Sequence, residues 1–544
     1  MGEKRDTHKW YHRENMRRIL QPVFLTGVII AVAFAAKTSI LLFFSSLLWA
    51  YVVGFGIVLA GGFCIATVWR GVALTKSEAK RMWQLGMYAL IFYGAALCFR
   101  AYMLFRNYGQ FIDLSYYESA VSQLASLTVP KIWDIGSPLW SQHFEPILFL
   151  FVPWYWLRLG GSMLLVWGQA ILAVSSAYFL YRIAISRGTK QGIALGITAL
   201  YLTAGGLQSA YLYGFHPIAL FPFFFLWAVY CYERKQYGWY AVALLITLFV
   251  KEEISFVMVF WGLWLLFGRK DRIRGALAIG LGSLWYFISF GIIAHFHHGG
   301  YEYWGQFGGG SGGGVFGIIG YALTHPFTFV GQFFDDPRKL PMVIELFASF
   351  GLLPLFAPMS LLMLVPSLLL KLLSHDISMM NSFHYSAAIT PLLAVTALEG
   401  LLVLHKRMPG VRLGVFCIAV AILANSYYGF AFYYRTYAFT FGSFGISDFL
   451  HTNHSRAVNR LLGKIPESAS VSCEYAICSH ISRPYGKKLP IPHKTVLDYV
   501  ILDPTNPSVL VDEATYRAFV EKEILPNYDV VDKQDGAILL KAIR

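Results

Sequence analysis

Five short clusters of ionisable and hydroxyl side chains interrupt an otherwise apolar chain. Asp113, in Phe111-Ile112-Asp113-Leu114-Ser115, opens a segment in which Leu114, Tyr117, Val121 and Leu124 recur three and four residues apart. That spacing predicts an amphipathic helix, ended by Pro130. A carboxylate at a helix start serves as an N-cap, as a proton acceptor, or as both. Tyr116 at the third helical position leaves no capping box. Glu118, five residues on, is either a second carboxylate or part of a wet face. Ser141-Gln142-His143-Phe144-Glu145-Pro146 and Tyr213-Gly214-Phe215-His216-Pro217 each place a histidine where an apolar run begins. Lys251-Glu252-Glu253 sits between apolar runs with no loop around it. It is either a tight turn at a water boundary or a charge cluster in a cavity, where Lys251 can pair with a phosphate. His375-Asp376 and His384-Tyr385 are either solvated loop or site.

No metal signature accompanies these residues. HExxH is absent, and no Cys/His spacing fits zinc. The GxSxG of a serine hydrolase and a dinucleotide fingerprint are also absent. The glycine run 308–314, broken only by Ser311, lacks the GK[ST] of a phosphate-binding loop and reads as a linker. Cys473 and Cys478 form neither CxxC nor a zinc pattern. Whether they pair stays open, since two cysteines five apart on one helix are badly placed for a disulfide.

A membrane-embedded body must position these residues. The 544 residues are 57% hydrophobic and only 14% charged, where soluble domains carry about 25% charged residues. Mean hydropathy is +0.54. An ordinary soluble enzyme is excluded, and disorder needs the opposite composition. The apolar runs are continuous, which argues against an outer-membrane barrel. The net charge of +14 lies largely in short loops between those runs. There Lys and Arg record topology, so the charge is not read as a nucleic-acid footprint. Ionisable groups at membrane depth are costly and mark function by default.

Residues 1–18 are expected to be a cytoplasmic basic tail and residues 19–81 an extra N-terminal transmembrane hairpin. Residues 82–439 form the main transmembrane domain, with external loops at 106–142 and 295–341. The helix opened by Asp113 is expected to lie on the membrane surface. Arg187 and Lys190, Arg234 and Lys235, and the cluster Arg269–Arg274 mark the cytoplasmic side, which puts His216 and Lys251 outside. A parity conflict follows, because three runs at 146–159, 163–185 and 192–213 precede His216. Either the first, which is short and holds Pro153, is broken or re-entrant, or the third is not a full crossing. Residues 440–544 turn polar and are expected to form a small extracytoplasmic α/β domain. Its elements are a strand over Val496–Leu502, a helix over Glu513–Lys522, and a hairpin over Asp529–Lys541 turning at Gln534-Asp535-Gly536.

Asp113 with its helix, Gln142-His143-Phe144-Glu145-Pro146, Phe215-His216-Pro217, Val250-Lys251-Glu252-Glu253, His384-Tyr385 before Pro391, and Asp498-Tyr499-Val500-Ile501-Leu502-Asp503 together resemble one bacterial family. It is an uncharacterised family of polytopic membrane proteins, a domain of unknown function grouped with the GT-C glycosyltransferase superfamily. The resemblance implies an α-helical polytopic membrane protein, GT-C-like, with a small C-terminal soluble α/β domain. It implies the bacterial inner (cytoplasmic) membrane, with the N-terminus cytoplasmic. It further implies transfer of a sugar from a polyprenyl-phosphate-linked donor to an acceptor on the external face. In that scheme Asp113 is the general base and Glu118 a second catalytic carboxylate. Lys251, His143 and His216 hold the donor phosphate, and Glu145, Glu252, Glu253, His384 and Tyr385 complete the cavity. Burial is expected to raise the base's pKa towards neutrality. The expected partners are membrane lipids, the lipid-linked sugar and an acceptor, with no nucleic acid. No metal ligand is assigned and no cofactor is certain; the lipid-phosphate sugar donor is a substrate, and a divalent metal stays open without support in the residues. Two departures stand out. The adjacent acidic pair of some superfamily members is missing around Asp113, and Glu253 stands where the family commonly has Asp. Two other classes remain open: a lipid or solute transporter or flippase, which would want internal repeats, and a non-enzymatic envelope scaffold.

Overall fold

The computed structural model describes residues 21–32, 56–65, 75–109, 113–132, 136–297, 301–307, 313–375, 384–407, 411–428, 449–481, 483, 486–493, 495–505 and 511–543. The basic tail, most of the expected N-terminal hairpin, His298, residues 308–312, Asp376 and the boundary near residue 440 lie outside the described residues.

The body is built of helices. They are α1 (Gln21–Val32) and α2 (Gly56–Ile65), then α3 (Lys76–Arg106), α4 (Asp113–Ala125), α5 (Val152–Trp156), α6 (Ser162–Ser186), α7 (Gln191–Thr203), α8 (Gly205–Leu212), α9 (Phe221–Glu233), α10 (Tyr237–Leu248), α11 (Ile254–Phe267) and α12 (Arg272–Phe296). After these come α13 (Gly314–Thr324), α14 (Pro326–Gly331), α15 (Lys339–Ala348), α16 (Val365–Leu373), α17 (Ile389–Arg407) and α18 (Val411–Tyr428). Among the described residues four helices are long and apolar enough to cross a membrane, or five with α7 and α8 taken as one span bent by 47°. Thr75 and Glu78 start α3 with a reciprocal capping box.

The parity conflict has a structural answer. Residues 146–156 make only a 3-10 turn, Pro146–Leu150, and the five-residue α5, so this run does not cross. Its prolines supply no backbone N–H. The chain then descends in α6 and returns in the bent α7–α8 pair, which brings His216 back to the pole that holds His143. At the opposite pole Arg187, at the end of α6, pairs with Glu233 of α9 at 2.7 Å, and Arg269 after α11 reaches the same carboxylate at 3.0 Å. The basic marks therefore do share one end of the body.

Helices α11 and α12 pack backbone to backbone. A Cβ on Gly275 would stand 2.9 Å from the Gly262 carbonyl oxygen, and one on Gly282 would stand 2.8 Å from the Ser255 carbonyl oxygen. Small residues allow such approach between membrane helices. The contact fixes the start of α11, and with it Lys251–Glu253, against the middle of α12.

The C-terminal domain adds α19 (Asn453–Leu462), β1 (Val471–Cys473), α20 (Tyr475–Cys478), β2 (Lys488–Pro490), β3 (Tyr499–Leu502), α21 (Glu513–Phe519), β4 (Tyr528–Gln534) and β5 (Ala537–Ala542). Its sheet runs β2-β1-β3-β5-β4. The first three strands are parallel, with Val471 opposite both Lys488 and Tyr499. Strand β5 is antiparallel to β3 and β4. The expected hairpin is present, the expected strand is present only over Tyr499–Leu502, and the expected helix over Glu513–Phe519. Asp535 and Gly536 turn the hairpin with φ of 47° and 85°, the left-handed pair that suits the strand twist. Cys473 and Cys478 do form a disulfide, with Cα atoms 5.3 Å apart. The two do not share one helix: Cys473 ends a strand and Cys478 ends the short helix after it.

This domain docks on the body through the loop that follows the disulfide. The Ser162 hydroxyl donates to the Ser479 carbonyl. His480 stacks on Phe105 at 4.0 Å and 7°. Asn107 donates to the Leu450 carbonyl at 2.9 Å, and the Tyr108 hydroxyl donates to Asn459 at 2.9 Å. Helix α4 does not lie open on a membrane surface. Leu114, Tyr117, Val121 and Leu124 face the body, and Tyr116 and Glu118 on another side meet Tyr475 and Lys488 of the C-terminal domain.

Candidate functional site

A cavity of about 400 Å³ lies where α4, α11, α12, α16 and the start of α17 converge. Asp113, His143, His216, Lys251, Glu253, His384 and Tyr385 all line it. Seven residues from five separate sequence clusters thus share one space. It is a concave site with aromatic walls and a few convergent polar groups, the usual form of a small-molecule site.

Asp113 is the first residue of α4 and lies 3.2 Å from His216 through Oδ2 and Nε2. Burial opposes its charge. The adjacent His216 imidazole and the Tyr213 hydroxyl outweigh burial and hold the carboxyl below its ordinary value. The expectation that burial would raise this pKa is therefore corrected: the carboxylate is ionised at neutral pH. His216 is held from behind by a side chain that stands deep in α6. Gln169 accepts from the His216 backbone N–H at 2.7 Å and donates to the Gly214 carbonyl at 2.6 Å. Gly214 has φ of 148°, a conformation that glycine enters without a Cβ clash. The His216 ring also stacks on His384 at 3.5 Å and 17°. At that spacing two imidazolium charges would repel, so at most one of the pair is protonated.

Lys251 lines the cavity one residue before Glu252, and its Nζ lies 3.8 Å from Glu253. His143 faces the cavity and donates through Nδ1 to Glu252 at 2.8 Å. Tyr303 stacks on its other side at 4.9 Å and 5°.

Three expected site residues stand elsewhere. Glu252 lies behind the cavity wall, where it accepts from His143, from the Tyr301 hydroxyl at 3.0 Å and from the Phe144 backbone N–H at 3.1 Å. It therefore ties the 142–147 and 301–304 segments to the start of α11. Glu145 is also behind the wall and accepts from the Tyr117 hydroxyl at 3.3 Å. Glu118 is not a second cavity carboxylate and not a wet face. It is buried on the other side of α4, paired with Lys488 at 2.6 Å. One helical turn and a half separates it from Asp113, which points the two side chains apart.

Residues 115–539 match the family model described as Predicted membrane protein (DUF2079). The chain belongs to that family. Among solved structures, the DUF2079 chain is similar to the crystal structure of ArnT from Cupriavidus metallidurans bound to undecaprenyl phosphate, with 12% identity, 83% of this chain and 98% of that chain covered, and a TM-score of 0.46. None of the curated proteins matches the chain.

Several cavity residues of this DUF2079 protein escaped the sequence reading. Lys371, near the end of α16, lines the cavity and is 2% exposed. Its signal was available, a single lysine inside Ser367-Leu368-Leu369-Leu370-Lys371-Leu372-Leu373. Phe256, Phe290, Tyr301, Tyr303, Trp304 and Phe307 supply the aromatic wall. Aromatic residues are too frequent here, at 17%, to stand out in the sequence. Among the described residues no three His, Cys, Asp or Glu side chains are grouped to hold a metal ion.

Proposed function

We propose that this protein is an integral-membrane glycosyltransferase of the GT-C type, acting on a polyprenyl-phosphate-linked sugar at the external face. The observation that supports it is the meeting of Asp113 with Lys251 and Lys371 on one aromatic-walled cavity. Transfer of a glycosyl group needs an acceptor for the hydroxyl proton and positive charge for the departing phosphate. Asp113 takes the proton as the acceptor oxygen bonds to the anomeric carbon. The bond from that carbon to the phosphate oxygen breaks, and its electron pair stays on the phosphate. Lys251 stabilises that charge, and Lys371 lines the same cavity. Because Asp113 is held below the usual carboxylate range, it is a weak base. Proton uptake then accompanies bond formation and does not precede it. Attack opposite to the leaving phosphate inverts the sugar, by the geometry of inverting hydrolases. His216 orients Asp113, and His143 borders the phosphate.

The clustering of Arg187 and Arg269 at one pole supports an orientation with that pole towards the cytoplasm. The cavity and the C-terminal domain then lie outside, in keeping with a disulfide in that domain. A second reading, a lipid transporter, draws on the span broken between α7 and α8.

The test uses full-length protein in lipid nanodiscs with a radiolabelled polyprenyl-phosphate sugar and an envelope extract as acceptor. Asp113→Asn should abolish transfer while the lipid still binds, and Lys251→Met should weaken lipid binding. Transfer by Asp113→Asn at the native rate would overturn the reading. Movement of the lipid across reconstituted vesicles without transfer would favour the transporter.

A further inference from the structure

Helices α13 and α14 bury none of their residues in the protein. Phe316, Leu323 and Phe327 are 65%, 78% and 93% exposed, and Ile319, Val330 and Phe334 are exposed as well. No Asp, Glu, Lys or Arg occurs between Glu302 and Asp335, a stretch that contains the whole pair. In water such a surface would be a liability, because large exposed apolar patches mark association or membrane contact.

Three observations identify what covers it. First, the surface continues that of a span. Phe316 packs edge-on against Tyr286 of α12 at 6.4 Å, and α12 itself exposes Leu277, Leu284 and Phe287. A span's exposed apolar face is its lipid face. Second, the length fits a partial insertion. The 11 residues of α13 reach about 16 Å, against about 30 Å for the hydrocarbon core, and His325-Pro326 breaks the run before α14 starts. Third, charge returns abruptly where the pair ends. Asp335, Asp336, Arg338 and Lys339 follow within five residues of Phe334.

Both ends of the pair are rooted in the cavity wall. A Cβ on Gly314 would stand 3.5 Å from Nε1 of Trp304, a cavity residue. Lys339 donates to the Gln332 carbonyl just after α14 at 2.7 Å and to the Leu372 carbonyl of α16 at 2.6 Å. Leu372 is the neighbour of Lys371.

We infer that α13 and α14 form a half-depth insert in the bilayer leaflet on the cavity side, held beside the cavity, with lipid acyl chains as their partner. This differs from the sequence reading of 295–341 as an external loop with a flexible linker. It does not depend on the transferase reading, since it concerns only which medium touches these side chains.

The test is depth-dependent quenching in nanodiscs. Cys64, Cys98, Cys231 and Cys417 are replaced by Ser or Ala, which leaves the Cys473–Cys478 disulfide in place. Single variants Leu323→Cys and Phe327→Cys are labelled with an environment-sensitive fluorophore, with Leu284→Cys as the lipid-facing reference and Val530→Cys, on the C-terminal domain, as the aqueous one. The insert predicts that labels at 323 and 327 lose fluorescence to acyl-brominated lipid as the label at 284 does and resist aqueous iodide. Quenching by iodide to the extent seen at 530 overturns it. So does protection from both brominated lipid and iodide that appears only when two protein copies share a disc, which would make the face a contact between copies.

Discussion

Glu118 and Lys488 lie 370 positions apart in the sequence and meet at 2.6 Å, each side chain 2% exposed. Lys488 also donates to the Ile481 and Cys478 carbonyls at 2.8 and 3.2 Å. One ammonium therefore joins the helix that begins at Asp113 to the loop closed by the disulfide.

Breaking this pair from one side leaves a buried charge alone. Glu118→Gln should destabilise the docked state by about 3–5 kcal/mol. Exchanging both residues, as Glu118→Leu with Lys488→Met, should recover most of the loss. Limited proteolysis that releases the C-terminal domain measures both. A single variant as resistant as the native protein would show that the pair holds nothing together.

Gln169 is expected to matter through the loop it clamps. Gln169→Leu leaves the His216 N–H and the Gly214 carbonyl without their buried partner, at about 1–3 kcal/mol for each such group. The thermal midpoint should fall, and hydrogen exchange should rise at the Tyr213–His216 loop before it rises in α11. Uniform loosening of all helices would refute a local clamp.

The close contact of α11 with α12 leaves no room for side chains. In Gly275→Val the new Cβ meets the Gly262 carbonyl oxygen and the Leu266 backbone nitrogen at 2.9 Å each. Forcing the helices apart should cost about 1–3 kcal/mol or more and displace Lys251. Gly280→Val, which meets nothing within 4 Å, serves as control and should leave the midpoint close to the native value.

The C-terminal domain carries a pH dependence through His454. Partial burial lowers its pKa, but hydrogen bonds and charge from Asp503, at 2.7 Å, and from Asp535 outweigh this and raise it above its ordinary 6.5. A raised histidine gives its full stabilisation below the ordinary value and loses it as pH rises through the raised one. The domain should therefore resist denaturant better in mild acid than in mild alkali. His454→Asn should flatten that slope, and an unchanged slope in the variant would assign the pH effect to other groups.

Much of the cavity was legible in the sequence because charged groups stand out against an apolar background. Asp113, His143, His216, Lys251, Glu253, His384 and Tyr385 were each visible in this way, and they line one space. What stayed hidden has physical causes. Gln169 is neutral and looked like any polar residue on a span. The surroundings of Glu118 depend on a partner 370 residues away, which no local periodicity reports. The disulfide escaped because the spacing alone did not reveal that a strand ends at Cys473. The parity conflict was visible, and the prolines of residues 146–156 contained its answer. The apolar pair α13–α14 was lost in a stretch read by its glycines.

The distance between Glu118 and Lys488 along the chain also sets an order of events during synthesis. At about 5–20 residues per second, translating the 370 intervening positions takes roughly 20 to 75 s. For that interval the helix that carries Asp113 exists without the surface that will cover it. The newborn protein thus passes through a stage with its body laid down and its cavity helix bare. A chain cut short anywhere before Lys488 stays in that stage, so the far side of the helix that carries Asp113 is covered only once the C-terminal domain has been made.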